Sequence, residues 1–319
     1  MSARFTLAEI VEATGGKVVR EGSGQQSFDG VSTDTRALQP GELFVALSGE
    51  SFDAHHFLAE AVQAGAAALV VQREEAALED AAIPVVLVAD TRKALQDLAR
   101  FHRLRFDIPV IAVTGSNGKT STKDMVAAAL GARFNVLKTK GNFNNEIGLP
   151  LTLLSLEACH EAAVVEMGMR GLGQIAELAD IARPTQGIVT NVGETHLELL
   201  GSVANIAKAK AELVQALPTS GIAVLNQDDA LVRSMAAQAP CRVVSYGLSD
   251  KADVWAENVH YSAQGIRYVC CYGDERQVME IPAVGVHNVY NSLAAIAIAK
   301  EVAGLPLSDI TAALQQYAP

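Results

Sequence analysis

An α/β fold is predicted: a small mixed α/β N-terminal domain, then a central domain whose mostly parallel sheet is flanked by helices and carries a small antiparallel patch. Three observations predict it. From residue 108 short apolar strands alternate with amphipathic helices, the pattern of a parallel sheet covered on both faces. The first of these strands runs into a glycine turn and a helix start, TGSNGKTST at 114–122. The chain has 319 residues, half of them hydrophobic and 19% charged, enough for two domains with real cores.

Thr6, with Glu9 three residues on, reads as a capping box opening an amphipathic helix. Residues 41–47 read as a strand after the turn at Pro40-Gly41, 57–65 as a helix, and 68–71 and 85–88 as strands. Residues 91–106 form a helix leading into the next domain, so the boundary is set near residue 90, giving domains 1–89 and 90–319. Beyond it, strands are expected at 109–113, 163–166, 187–191, 222–225 and 242–246, with helices around 119–132, 173–181, 203–217 and 230–238. Residues 253–281 read as the antiparallel patch, with turns at Gly265 and Gly273-Asp274. Helix 288–303, a break at Gly304-Leu305-Pro306 and a last short helix complete the pattern.

Composition narrows the function classes. With 36 acidic against 25 basic side chains, a net charge of −11, the chain lacks the clustered Lys and Arg that nucleic-acid or membrane-surface binding needs. Apolar runs such as 64–71 are far shorter than the ~20 residues of a spanning helix, and the N-terminus is acidic where a signal peptide is apolar. Cys159, Cys241, Cys270 and Cys271 form no CxxC framework and read as reduced, buried thiols. The expectation is a cytoplasmic protein without nucleic-acid or membrane partners. His55, His56, His102, His160 and His260 have no metal-binding spacing, and Trp255 reads as a packing residue.

The glycine turn carries the chemistry. N–H groups of such a loop and of the helix start face an anion, and glycines permit its close approach. Gly115, Ser116, Asn117, Gly118, Lys119, Thr120 and Ser121 are therefore read as nucleotide-facing, with Lys119 on the β/γ-phosphates and the Thr120 hydroxyl on Mg²⁺. A standard loop has glycine five positions before Gly118, where Val113 stands; Gly115 gives a compact variant. Glu166 ends a strand, where a carboxylate either completes the Mg²⁺ shell or is merely solvated. His196 follows strand 187–191 at the sheet edge where α/β sites form, and Lys210 lies on a helix, where an exposed surface lysine is the default reading, as for Lys208 beside it.

TGSNGKTST, the run TKGNFNNEIGLP at 139–150, VVEMGM at 164–169, NVGETHLELLGS at 191–202 with AKAKAEL at 207–213, and GVHNVYN at 285–291 occur in this order. Together they resemble the Mur ligases, the ATP-dependent amino-acid and peptide ligases of peptidoglycan synthesis. The resemblance covers essentially the whole chain, and within the family GNFNNEIGLP resembles the branch that adds D-Ala-D-Ala. It implies ligation of D-Ala-D-Ala to UDP-N-acetylmuramoyl-tripeptide through an acyl phosphate, by a monomer. One departure is Ala54 in FDAHHF at 52–57, where the family pattern has glycine.

The same resemblance assigns roles. Lys119, Glu166, His196 and Lys210 become catalytic. Thr120 and Glu166 hold Mg²⁺, His196 a second Mg²⁺, and Lys210 matches a lysine carbamylated by CO₂, an anionic oxygen ligand. His287, Asn288 and Asn291 match the adenine-contacting segment, with Asn291 preferred; Asn288 is alternatively a helix N-cap. Asn142, Asn144 and Asn145 are unranked substrate or phosphate contacts, unless their loop is a plain turn. Ser32, Asp34, Thr35 and Arg36 match the segment holding the UDP moiety, Arg36 on the diphosphate and Asp34 in an orienting role.

Competing readings are the branch adding one amino acid to UDP-N-acetylmuramoyl-dipeptide, a folylpolyglutamate synthetase, and a nucleotide-binding module without ligase activity. The family's third, C-terminal Rossmann-like domain is not expected within these residues. The sequence reading is thus of a truncated form that binds nucleotide or UDP-substrate with little or no ligation.

Overall fold

The computed structural model describes residues 3–22, 27–49, 52–73, 82–195 and 197–317. The chain divides into two compact units: Met1–Phe106 with Glu146–Ala158, and Asp107–Asn145 with Cys159–Pro319.

In the first unit β1 (Arg4–Thr6) leads into α1 (Leu7–Thr14). The capping box closes its first turn: Glu9 N–H donates to Thr6 Oγ1 at 3.2 Å and Thr6 N–H to Glu9 Oε2 at 2.7 Å. β2 (Lys17–Arg20), β3 (Ser27–Asp29), β4 (Val31–Ser32) and β5 (Leu43–Val45) follow. A 3₁₀ turn (Ala54–Phe57), α2 (Leu58–Gln63), β6 (Ala68–Val71), β7 (Val85–Leu87) and α3 (Thr91–Arg103) complete this stretch. The sheet order is β2-β7-β6-β5-β4, with β4 to β7 parallel and β2 antiparallel to β7. β1 and β3 form a separate antiparallel pair. Phe44, Leu58, Leu69 and Val71 belong to one apolar core.

This division differs from the boundary read near residue 90, because α3 lies within the first unit. Its buried residues include Leu95, Leu98 and Ala99, and it packs against α1 and a helix at Gly148–Leu153 that the chain supplies later. His102 Nε2–H on α3 donates to Leu156 O at 3.0 Å, and Ala3 N–H to Leu154 O at 3.2 Å. Burial pushes the His102 pKa down, which keeps the imidazole neutral.

The second unit opens with β8 (Val110–Thr114), α4 (Lys119–Leu130) and β9 (Val136–Lys138). The Gly148–Leu153 helix, α5, intervenes; β10 (Ala162–Glu166), α6 (Gln174–Ala182), β11 (Gln186–Val189), α7 (Leu197–Leu200) and α8 (Val203–Gln215) follow. β12 (Ile222–Asn226), α9 (Ala230–Ser234), β13 (Arg242–Gly247), β14 (Val254–Ser262), β15 (Gly265–Tyr272), β16 (Glu275–Ile281), α10 (Val286–Ala303) and α11 (Leu307–Gln315) end it. One nine-stranded sheet has the order β16-β15-β14-β13-β12-β11-β8-β10-β9. Strands β8 to β14 pair in parallel, and β14, β15 and β16 pair antiparallel, so the antiparallel patch continues the same sheet.

The chain leaves β8 for β9 and β10 on one side, then crosses to β11 on the other. That reversal makes the carboxyl end of β8 a topological switch point, where open α/β sheets form binding crevices. α10 is buried on nearly every side; its alanines pack on α4, whose Ala127 and Ala129 are equally small, so the two helices approach closely. No described helix is long and apolar enough to cross a membrane.

Candidate nucleotide and ligation site

Residues 115–118 turn the chain from β8 into α4. A Cβ on Gly115 would meet Thr190 Oγ1 at 1.8 Å, and Gly118 has a φ of 78°, so both positions require glycine. The first hydrogen bond of α4 runs from Thr122 N–H to Gly118 O at 2.9 Å. The N–H groups of Gly118, Lys119, Thr120 and Ser121 carry no hydrogen bond among the described residues and stand open to an anion. Ser116 and Asn117, also read as nucleotide-facing, differ. Their N–H groups donate to Asn191 O at 3.0 Å and Asn191 Oδ1 at 2.9 Å, because the chain leaving β11 lies along the loop. Lys119 Nζ arches back to Gly115 O at 2.9 Å and Ser116 O at 3.3 Å. Burial lowers its pKa, against the opposing pull of the Glu166 carboxylate.

Glu166 is 2% exposed, and both its oxygens are occupied: Thr120 Oγ1 donates to Oε2 at 2.9 Å and Asn144 Nδ2 to Oε1 at 2.7 Å. Its backbone N–H donates to Thr139 Oγ1 at 3.0 Å, and buried Lys123 Nζ donates to Thr139 O at 2.8 Å. Asn144 meets the carboxylate, whereas Asn142 and Asn145 are exposed.

The Thr120–Glu166 spacing fits Mg²⁺. Adjacent ligands of an octahedral shell with bonds of 2.0–2.1 Å lie about 2.9 Å apart. Among the described residues no three His, Cys, Asp or Glu side chains converge on a metal position. A site built on one carboxylate and one hydroxyl suits Mg²⁺, which keeps most of its shell for water and phosphate.

Lys210, on α8, is 2% exposed, and its ammonium has no hydrogen-bond partner among the described residues; Lys208 is exposed. Burial, reinforced by the Lys119 charge, pulls the Lys210 pKa down to about 7. His196 lies outside the described residues.

At the start of α10 a cavity of about 250 Å³ is lined by Asn117, Asn191, Asn226, Tyr246, His287 and Asn291, among others. The helix is capped by Gly285, so Asn288 is not an N-cap. Asn291 accepts from Thr122 Oγ1 at 3.0 Å and donates to Asn288 Oδ1 at 3.0 Å; Asn288 Nδ2 donates to Val284 O at 2.9 Å. Asn291, preferred from sequence as a base contact, is 4% exposed and ties α10 to α4. His287 is the exposed member of the three.

The first unit has its own cavity, about 510 Å³, lined by Thr33, Asp34, Thr35, Arg36, Phe52 and Phe57 among others. Phe52 and Phe57 stack with centroids 5.8 Å apart. Arg36 grips Asp34 through Nε at 2.9 Å and Nη2 at 2.7 Å, and this pairing holds the Asp34 carboxyl down at about 2. Thr35 Oγ1 donates to Glu60 Oε1 at 2.7 Å, and buried Ser32 Oγ donates to Asp34 O at 3.1 Å, bracing the turn from beneath. Ala54 starts the 3₁₀ turn without a positive φ, so the departure from glycine introduces no strain.

Of the four cysteines expected to be buried, Cys270 and Cys271 are, within β15, but Cys159 is exposed and Cys241 half-buried because they lie outside the strands, ahead of β10 and β13. Sequence reasoning missed Thr139, Thr190 and Asn191. A polar Thr-Asn pair directly after a buried apolar strand at the carboxyl edge of the sheet was the available signal for the last two.

The description "Mur ligase middle domain" matches residues 113–299, and "Mur ligase family, catalytic domain" matches residues 27–103. The chain is 46% identical to a UDP-N-acetylmuramoyl-tripeptide--D-alanyl-D-alanine ligase of Synechocystis sp. over 86% of its own length and 58% of the relative's. It is 39% identical to the Escherichia coli protein of the same name, over 97% and 67%. Among solved structures, MurF from Acinetobacter baumannii superposes with a TM-score of 0.93 at 32% identity, covering 100% of this chain and 69% of that one. A Thermotoga maritima MurF ligase in complex with ADP gives 0.79 at 28% identity, covering 88% and 65%. The chain thus spans 58% to 67% of the length of these two curated relatives. With the matched regions together covering most of its length, the chain belongs to the Mur ligase family.

Proposed function

We propose that this chain binds ATP at the phosphate loop of the second unit and the UDP end of UDP-N-acetylmuramoyl-tripeptide in the first, and serves the ligation of D-Ala-D-Ala to that tripeptide in the cytoplasm. The observation that carries the reading is the Thr120 Oγ1–Glu166 Oε2 pair at 2.9 Å, at the mouth of the loop and braced by Asn144. A carboxylate is a poor acyl donor at neutral pH. It attacks the γ-phosphorus of ATP, ADP departs, and an acyl phosphate results. The free amine of D-Ala-D-Ala then adds to the acyl carbon, nitrogen gives up a proton, and phosphate is expelled.

The protein's part is alignment and charge neutralisation. The N–H groups of residues 118–121 and the Lys119 ammonium hold the β- and γ-phosphate oxygens. Thr120 and Glu166 hold Mg²⁺, which neutralises phosphate charge when bound. Lys210 is suited to carbamylation: CO₂ adds to a neutral amine, an N–C bond forms and a proton leaves, placing an anionic oxygen where an ammonium would repel Mg²⁺. In the first unit Arg36 and the Phe52–Phe57 stack receive the diphosphate and the uracil ring.

Calorimetry with a non-hydrolysable ATP analogue and with UDP-N-acetylmuramoyl-tripeptide tests the reading, followed by phosphate release with and without D-Ala-D-Ala. The expected result is binding of both ligands, with any phosphate release dependent on both substrates. A chain that binds neither ligand, or hydrolyses ATP indifferently to them, refutes it.

A further inference from the structure

We propose that Asn191 is the positioning residue that holds the compact phosphate loop in its anion-binding shape, with Thr190 as its second support. The inference rests on the nucleotide reading above. Only Ser116 and Asn117 separate Gly115 from Gly118, so the loop has little structure of its own. Ser116 is buried and Asn117 exposed, and one short segment supplies partners to the backbone of both. Ser116 N–H donates to Asn191 O at 3.0 Å, Asn117 N–H to Asn191 Oδ1 at 2.9 Å, and Asn191 Nδ2 to Asn117 O at 3.0 Å. Thr190 Oγ1 donates to the same Asn117 O at 2.6 Å, and Gly193 N–H to Ser116 Oγ at 2.8 Å.

The Asn191 side chain meets both the N–H and the C=O of Asn117. A carboxamide has a donor and an acceptor in one plane, which neither a carboxylate nor a hydroxyl reproduces. The backbone on either side is held independently. Thr190 N–H donates to Thr114 O at 3.0 Å, Asn226 Nδ2 to Thr190 O at 2.9 Å, and Val192 N–H to Asp229 Oδ2 at 2.8 Å. The amide is therefore preset before any ligand arrives. Gly118, next to Asn117, has no Cβ to resist rotation of the intervening peptide. With Asn117 gripped at both polar groups, that peptide stays in the orientation that leaves the N–H groups of 118–121 aimed outward. Without the grip, water satisfies Asn117, and the loop must be reordered each time phosphates bind.

The effect belongs to phosphates rather than to the base, and this sets the test. Affinities of ADP and adenosine are measured by competition against a fluorescent nucleotide, in wild type and in Asn191→Ala, with melting curves for both. The expected result is a folded variant whose ADP affinity falls tenfold or more while adenosine affinity stays within about twofold. Thr190 and Asn191 also line the cavity at α10, so an equal loss for both ligands, or no loss, overturns the proposal. Should Asn191→Ala fail to fold, Thr190→Val against Thr190→Ser decides. Val is expected to lower the ADP-to-adenosine ratio about threefold and Ser to restore it; an unchanged ratio overturns the proposal. Wild-type protein that binds no ADP removes the nucleotide reading itself, a failure distinct from a wild type that binds ADP and variants that bind it equally well.

Discussion

Asn144 donates its side-chain amide to Glu166 Oε1 at 2.7 Å, and its own carbonyl accepts from Gly168 N–H at 2.8 Å. The loop after β9 and the end of β10 are therefore one piece, and the carboxylate proposed to hold Mg²⁺ cannot rotate without breaking it. A hydrogen bond to a charged group contributes ~1.5–3 kcal/mol. Asn144→Ala should lower Mg²⁺-dependent affinity for a non-hydrolysable ATP analogue roughly tenfold, with affinity in EDTA unchanged. Calorimetry with and without Mg²⁺ checks it.

Lys210 makes stability depend on pH. Unfolded, its amine keeps a proton up to its ordinary value of 10.5; folded, burial releases it near 7. Between these values the unfolded state binds more protons, so stability rises with pH across that window, and below about 7 the penalty is complete. The difference corresponds to on the order of 5 kcal/mol. In CO₂-free buffer Lys210→Met should melt above wild type at pH 7, with the advantage fading towards pH 10.5, and should abolish any ligation. Melting curves across pH 6–10 that run parallel for both proteins contradict this.

Gly115→Ala sets a methyl group 1.8 Å from Thr190 Oγ1. Relief requires turning the Thr190 side chain, which breaks its bond to Asn117 O, or shifting the backbone, and a loss of roughly 2 kcal/mol or more is expected from such a steric clash. Thr190→Ala in the same chain removes the clashing oxygen and should recover part of the loss, a non-additive pair in chemical denaturation.

Phe52 is 56% exposed and stacked on Phe57. Phe52→Ala should weaken UDP-N-acetylmuramoyl-tripeptide binding by ~1 kcal/mol, the scale of one aromatic contact, and leave ADP affinity as it was. Titration with each ligand separates the two.

Much of this was legible in the sequence, for physical reasons that can be named. The apolar runs that became β8 and β10 to β12 are buried on both faces, and the glycine turn to Lys119 and Thr120 has few uses other than holding an anion. Glu166 was readable because it ends such a strand. β9 was not, since its three residues are mixed and only partly buried. The amides of Ser116 and Asn117 were assigned outward because sequence cannot show that Asn191 folds back on them. Asn291 was preferred for the base from its motif, whereas its bonds to Thr122 and Asn288 are tertiary facts.

The Gly148–Leu153 helix has a consequence for how the chain is made and exchanged. The first unit looks finished at Phe106, yet α3 packs on a helix synthesised only after the phosphate loop. At roughly 5–20 residues per second, that unit waits several seconds during translation for its last piece, with the leading part of the second unit already made. The two are laid down interleaved, not as beads on a string. A chimera that borrows this first unit from a relative must therefore import residues 146–158 together with 1–106, or leave the buried side of α3 without its partner.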